Sequence, residues 1–311
     1  MTRRTFLIDT DTASDDAVAL VMALRQPDVE VAAITVVAGN VPLEQAVQNA
    51  LYTVELCGSR VPVHAGAAAP LSRALRTAQF VHGQDGMGDI GLPLAGREPA
   101  SRDGIGVLVD EIGRRPAGTV TVVTLGPLTN VALAFRRDPS IPLRLGSLVI
   151  MGGTGDAVGN ISAVAEFNVW VDPEAAAEVF ASGAPITMVG WDISRKYAVI
   201  PPDDAARLRT AGPLGGFAVD IQATRTAFTE HETQLAGFDL PDPIAMAIAL
   251  DRSIATDVRR RNVRVETADG IATGQTVIDH LGVEHLAPNA DVVLEASRER
   301  FLELLFRAHA G

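Results

Sequence analysis

The stretch that decides the fold is FLIDTDTASDDAVAL, residues 6–20. Three apolar residues, Phe6, Leu7 and Ile8, run into Asp9, and a second apolar run begins at Ala17. The first run is short and continuous, as in a strand covered on both faces. The second places Val18, Leu20, Val21, Met22 and Leu24 on or near one side of a helix. Strand, turn and helix in that order open a βαβ unit. Between them stand four aspartates, Asp9, Asp11, Asp15 and Asp16. Like charges this dense between two buried segments call for a positive partner.

The same alternation continues outward. Residues 29–37, 119–124, 147–151 and 186–189 read as strands, and residues 43–56, 128–135 and 173–180 as helices, the last with Pro173 in its first turn. Near-continuous apolar strands between helices predict an α/β fold, an open, mostly parallel sheet flanked by helices on both faces. Residues 169–171, VWV, read as a strand start with Trp170 in the core, and Cys57 as an inert buried thiol. Residues 65–103 and 152–167 read as long irregular loops, and 198–242 as a mainly helical cap. No repeat or linker interrupts the pattern, which suits a single domain over residues 1–311. Ligands of open parallel sheets bind beyond the carboxyl ends of the strands. Residues 9–16, 39–40, 125–126 and 151–153 all fall at such ends, so four segments are expected to converge on one site.

Composition narrows the function. With 311 residues, 47% of them hydrophobic, the chain can bury a sizeable core. A net charge of -12 argues against a nucleic-acid surface, which needs clustered Lys and Arg. Lys196 is the only lysine. The single cysteine cannot form an internal disulfide and fits a reducing compartment. Three apolar residues before Asp9 are too few for a signal-peptide core, and no apolar run approaches the roughly 20 residues that span a bilayer. A cytoplasmic protein with no membrane partner is expected.

Clustered carboxylates without neighbouring Cys or His favour a hard cation, Ca²⁺ or Mg²⁺. An EF-hand starting at Asp9 fails, because its sixth position would be Ser14 and its twelfth Leu20. The strand followed by DTDT is also similar to the nucleophile motif of haloacid-dehalogenase-like phosphatases, with Asp9 as nucleophile. That chemistry needs a lysine, for which only Lys196 exists.

DTDTASDDA, residues 9–17, resembles the DTDxxxDDA signature of the inosine–uridine-preferring nucleoside hydrolase family, with Thr12-Ala13 where the family usually has Pro-Gly. GN at 39–40, HGQDGMG at 82–88, LGPLTN at 125–130, MGG at 151–153 and GNISAVAEFNVWVDPEAA at 159–176 resemble family segments in the expected order. DPIAMA at 242–247 and VETADGIATGQTVID at 265–279 carry the resemblance nearly to the C-terminus. It implies a Rossmann-like fold and Ca²⁺-dependent hydrolysis of the N-glycosidic bond of ribonucleosides. Asp11, Asp16 and Asp242 would ligate Ca²⁺ with the Leu125 carbonyl, and Asp11 would activate a metal-bound water. Asp15 and Asn168 would hold the ribose diol, Asn160 and Glu166 its other hydroxyls, with Asn40 alongside and Met151 under the sugar. Asp9 is left a structural role, and Asp15 fits a helix N-cap equally well. A homodimer or homotetramer is implied as well.

The chain departs from the family at the leaving base. Many members carry His before the DPxA aspartate as general acid, and here that residue is Pro241. His82, His231, Tyr197 and Trp191 are the alternatives, with the indole of Trp191 suited to stacking on the base. The same departure leaves a second function open, a ribose- or nucleoside-binding protein of this fold with little turnover.

Overall fold

The computed structural model describes residues 3–233 and 235–310. Its strands are β1 (Arg4–Thr10), β2 (Val29–Val36), β3 (Val63–Ala65), β4 (Val120–Thr124), β5 (Ser147–Met151), β6 (Ile186–Val189), β7 (Val199–Ile200), β8 (Phe238–Asp239), β9 (Ala255–Arg261), β10 (Val263–Val265), β11 (Thr276–Ile278) and β12 (Ala290–Ala296). The helices are α1 (Ser14–Leu24), α2 (Leu43–Leu56), α3 (Gln79–His82), α4 (Gly104–Arg114), α5 (Thr129–Arg137), α6 (Phe167–Val171), α7 (Pro173–Ala181), α8 (Trp191–Tyr197), α9 (Pro202–Arg209), α10 (Pro213–Asp220), α11 (Ala223–Phe228), α12 (Pro241–Leu250) and α13 (Arg298–His309).

The main sheet runs β3-β2-β1-β4-β5-β6-β12-β9, parallel except for the antiparallel edge strand β9. Alternation along β1 explains how both faces are covered. Phe6 and Ile8 enter the cluster that includes α1, α2 and α12, whereas Leu7 enters the one that includes α4, α5 and α7. Helices α1 and α12 are buried nearly all round, so both run through the interior and bring their N-termini to the carboxyl edge. The chain leaves β1 towards β2 on one side and returns to β4 on the other. The strand order therefore reverses between β1 and β4, and that switch point is where a crevice opens in such sheets.

The two long loops and the helical cap lie where the pattern put them. Residues 169–171 do not form a strand. Glu166 accepts hydrogen bonds from the backbone N–H groups of Asn168 and Val169, which starts the short helix α6 instead. Trp170 is accordingly half-buried, with the Arg76 guanidinium over its ring. Cys57 ends helix α2 half-buried, and burial pushes its thiol up to about 11. No helix among the described residues is long and apolar enough to cross a membrane.

Candidate active site

The end of β1 sorts the aspartates by side. Asp9 shares the face of Leu7 and points towards α5, where it accepts hydrogen bonds from Thr35 Oγ1 at 2.5 Å and Asn130 Nδ2 at 2.8 Å. It is fully buried, which pushes its carboxyl up to about 7, and it does not line the cavity described below. This overturns the phosphatase reading: the would-be nucleophile has no access to a ligand. Lys196 is equally unsuited, being half-exposed and spent on Asp156 and Asp192.

Thr10, on the other face, donates to Asp16 Oδ1 at 2.5 Å, and Asp16 Oδ2 accepts from the Ala13 N–H at the start of α1 at 2.9 Å. Asp11 Oδ2 accepts the Asn40 N–H at 2.6 Å, while Asp11 Oδ1 and Asp15 Oδ1 are buried without a hydrogen-bond partner among the described residues. Glycines make room for this group: a Cβ at Gly126 would lie 2.7 Å from Asp11 Oδ1. Carboxylate oxygens of Asp15, Asp16 and Asp242 come within 4.8 Å of one another. Burial first, and then the neighbouring negative charges, push Asp11 and Asp242 well above the usual carboxylate range and Asp16 up to about 6. A buried cluster with orphaned oxygens and raised affinity for protons can hold a metal ion. The donor set fits that use, because the clustered side chains offer only carboxylate oxygens.

A cavity of about 650 Å³, its open mouth included, lies against this cluster. Asp15, Asn40, Leu125, Met151, Asn160, Glu166, Asn168 and Asp242 line one part of it. Asn168 Nδ2 donates to the Leu125 carbonyl at 2.7 Å, and Asn160 Oδ1 accepts the Phe167 N–H at 2.9 Å. Glu166 accepts from three backbone N–H groups, those of Gly153, Asn168 and Val169, and burial pushes it up to about 7. Asp11 and Asp16 sit behind this wall rather than on it.

The remaining wall is mostly aromatic and apolar: Phe80, Val81, His82, Trp191, Phe228 and Pro241. His82 Nδ1 lies 2.9 Å from Ser14 Oγ and 3.6 Å from Asp15 Oδ1. Burial lowers its pKa to about 4, so the ring is neutral at pH 7. Trp191 presents its indole to the cavity, with its N–H donated to Asp239 at 2.9 Å. Two other expected residues do not reach the cavity. His231 is exposed, in the π-helical turn Thr229–Thr233, and Tyr197 packs half-buried against the core.

Two charged cavity residues escaped the sequence reading. Arg225 is buried on the wall, with Nη1 2.9 Å from Asp15 and Nη2 2.9 Å from Asp239. Burial alone would lower the Arg225 pKa, and the two carboxylates outweigh it. Burial would likewise raise Asp239, yet donation from Arg225, Ser194 and Trp191 holds it below the usual carboxylate range. A lone Arg in QATRTAF and an Asp inside the apolar GFDL were the available signals, but neither says which carboxylate or cation it will meet.

The model of the inosine-uridine preferring nucleoside hydrolase family matches residues 6–303. The pyrimidine-specific ribonucleoside hydrolase RihA of Salmonella typhi is 38% identical over 304 residues, covering 96% of each chain. Among solved structures, the plant nucleoside hydrolase PpNRh1 is similar with a TM-score of 0.93, 32% identity and 99% of each chain covered. The purine-preferring ribonucleoside hydrolase from Gardnerella vaginalis follows at 0.90, 29% identity and 98% of each chain. A strand-order reversal with a buried aspartate cluster at its carboxyl edge, and matches of this extent, lead to one conclusion: the chain belongs to the inosine-uridine preferring nucleoside hydrolase family and is a nucleoside hydrolase.

Proposed function

We propose that the chain hydrolyses the N-glycosidic bond of ribonucleosides to free base and ribose in a Ca²⁺-dependent reaction, with Asp11 accepting the proton of the attacking water. The observation that carries this reading is the buried aspartate cluster beside the cavity: oxygens of Asp15, Asp16 and Asp242 lie within 4.8 Å of one another, and Asp11 Oδ1 is buried next to them with no hydrogen-bond partner among the described residues. Asp11, Asp16, Asp242 and the Leu125 carbonyl would hold Ca²⁺, which supplies a Lewis acid that orients oxygens and eases the deprotonation of water. Asp15 is kept for the ribose diol, since its Oδ2 is already held by Arg225.

The side chains divide the remaining work. Asn168 and Asp15 bind the 2′- and 3′-hydroxyls, Asn160 and Glu166 the other end of the sugar, and Asn40 and Met151 close the cavity around it. As the C1′–N bond breaks, the ribose gains oxocarbenium character, and the surrounding carboxylates stabilise that positive charge. Asp11 Oδ1, with no donor among the described residues, is the oxygen free to take a proton. Trp191 offers the base only its ring, its N–H being committed to Asp239. His82, neutral at pH 7, serves as a hydrogen-bonding group there rather than as a cationic acid.

We also infer a single cytoplasmic domain that assembles as a homodimer or homotetramer. The support is one eight-stranded sheet carrying the two large core clusters, a lone cysteine, and the exposed apolar side chains Ile271, Leu281 and Val283.

The test is ribose release, by a reducing-sugar assay, from inosine, adenosine, guanosine, uridine, cytidine and 2′-deoxyinosine, with and without a chelator. Turnover of ribosides but not of the deoxyriboside, abolished by chelator and restored by Ca²⁺, is the expected result. Chelator-resistant turnover would remove the metal from the mechanism, and no release at all would overturn the reading.

A further inference from the structure

Hydrogen-bond donors on the base-side wall are mostly committed elsewhere. The Trp191 N–H goes to Asp239, the Thr229 hydroxyl to the Thr226 carbonyl, and the Arg225 guanidinium to Asp15 and Asp239. Pro241 has no donor to give. His82 is left, on the same wall and neutral at pH 7. A neutral imidazole donates from one ring nitrogen and accepts at the other. Its tautomer therefore decides whether the wall meets the base with a hydrogen or with a lone pair.

Ser14 settles that choice. Its hydroxyl lies 2.9 Å from His82 Nδ1, both side chains are buried, and no other acceptor among the described residues takes a hydrogen bond from it. A ring proton on Nδ1 would point at Ser14 Oγ and leave the hydroxyl hydrogen without an acceptor in the interior. With Nδ1 bare, Ser14 donates to it, both groups are satisfied, and the ring proton stands on Nε2. A buried donor left unpaired costs more than a hydrogen bond gains, so the second arrangement wins. Asp15 Oδ1, at 3.6 Å from Nδ1, is beyond hydrogen-bond reach and takes neither hydrogen. Among the described residues the ring makes its one hydrogen bond through Nδ1, and Nε2 is not sealed off. Gln222 Nε2 donates to the Ser14 carbonyl at 3.0 Å and ties this residue to the helical cap.

We propose that Ser14 holds His82 in the Nε2–H tautomer, so that the neutral ring presents a hydrogen-bond donor to the base as the C1′–N bond breaks. This rests on the hydrolase reading above. The ring lends a hydrogen bond and transfers no proton, so it begins and ends the reaction neutral. Negative charge gathers on the base as the bond breaks, and a fixed donor stabilises that state more than the ground state. The other tautomer would turn a lone pair on the same charge. Ser14 touches His82 and not the reacting atoms, and is a positioning residue. It directly follows Thr12-Ala13, so the departure from the usual Pro-Gly and the hold on His82 fall on one turn.

Solid-state ¹⁵N spectra of protein labelled only in histidine read the tautomer directly, because protonated and bare ring nitrogens resonate far apart. The spectrum of His82→Gln identifies the His82 lines among the six histidines. Wild type should show a bare Nδ1 and a protonated Nε2, and Ser14→Ala should move the proton towards Nδ1, beside Asp15. In Ca²⁺-loaded enzyme, Ser14→Ala should lower kcat on uridine and inosine about tenfold, near the worth of one neutral hydrogen bond, with KM changed far less. The loss on p-nitrophenyl β-D-riboside, whose phenolate leaves unaided, should be much smaller. Ser14→Thr keeps a hydroxyl and should recover the wild-type nitrogen pattern and most of kcat. A wild-type His82 protonated on Nδ1 would overturn the proposal, and that spectrum decides even if no variant folds. A Ser14→Ala spectrum identical to wild type would also overturn it. So would equal losses on nucleosides and p-nitrophenyl riboside, since Ser14 would then only support the start of α1. No turnover of any riboside by wild type would overturn the hydrolase reading and the donation to the base with it, whereas the nitrogen spectrum would still decide the hold of Ser14 on the ring.

Discussion

Asp11 shows how much of this site a single residue controls. One of its oxygens takes the Asn40 N–H and the other, against Gly126, has no hydrogen-bond partner among the described residues. Asp11→Ala should therefore leave a folded protein, by circular dichroism, whose kcat is reduced at least about 10²–10⁴-fold, the range general-base catalysis supplies. Wild-type rates in that variant would remove Asp11 from the chemistry. Gly126→Ala should act on the same atom from behind. Its methyl group would meet Asp11 at 2.7 Å, so the carboxylate must shift, and kcat should fall with no new charge introduced. The sequence pointed to Asp11, Asp15 and Asp16 because their density had no solvent-side explanation. It missed Arg225, because an arginine flanked by threonines looks the same whether it meets solvent or two carboxylates.

At the scale of elements, α6 is the instructive case. Its sequence, FNVWV, has strand composition, but Glu166 caps it and the chain turns into a helix. The three N–H groups held by Glu166 bind the loop after β5 to the start of α6. Glu166→Ala leaves those buried donors without their acceptor and should cost about 1–3 kcal/mol, read as a lower urea midpoint. Glu166→Gln keeps an acceptor oxygen and should recover much of that stability without recovering full activity. Equal stability of all three proteins would mean that water replaces the cap. The strand and helix positions around the site were legible because their apolar spacing is local. The turn into α6 was not, since it depends on a side chain outside the segment it caps.

The whole molecule carries a pH signature. Burial raises Asp9 and Glu166 to about 7 and Asp16 to about 6, with Asp11 and Asp242 also shifted up. A carboxyl with a raised folded-state pKa adds stability that is present below its unfolded value, near 4, and lost as pH rises through its folded one. His82 and His309, lowered to about 4, act in the opposite sense below pH 6.5. In chelator, thermal stability should therefore decline as pH rises from about 6 to 8. Added Ca²⁺ should restore more at pH 8 than at pH 5, because the ion needs ionised ligands. A Ca²⁺ shift in Tm that does not change with pH would exclude the raised aspartates as its ligands. The assembly has its own measurement: sedimentation should give two or four times the 32.7 kDa chain mass, and a monomer would refute the homo-oligomer.

The sequence by itself determined the alternation of strand and helix, the parallel sheet, the edge at which the loops converge, and the family motifs that lie on it. All of these are encoded in spacing along the chain, which local apolar periodicity preserves. Only the tertiary structure decided which charges meet. Asp9 turns away from the cavity although it stands two residues from Asp11, because β1 ends at Thr10 and the alternation that would keep residues two apart on one face no longer governs Asp11. Arg225 and Asp239 join Asp15 and Trp191 from segments far apart in the chain, and His231 is left outside. Burial and Coulomb energy depend on distance through space, and that distance exists only once the chain is folded.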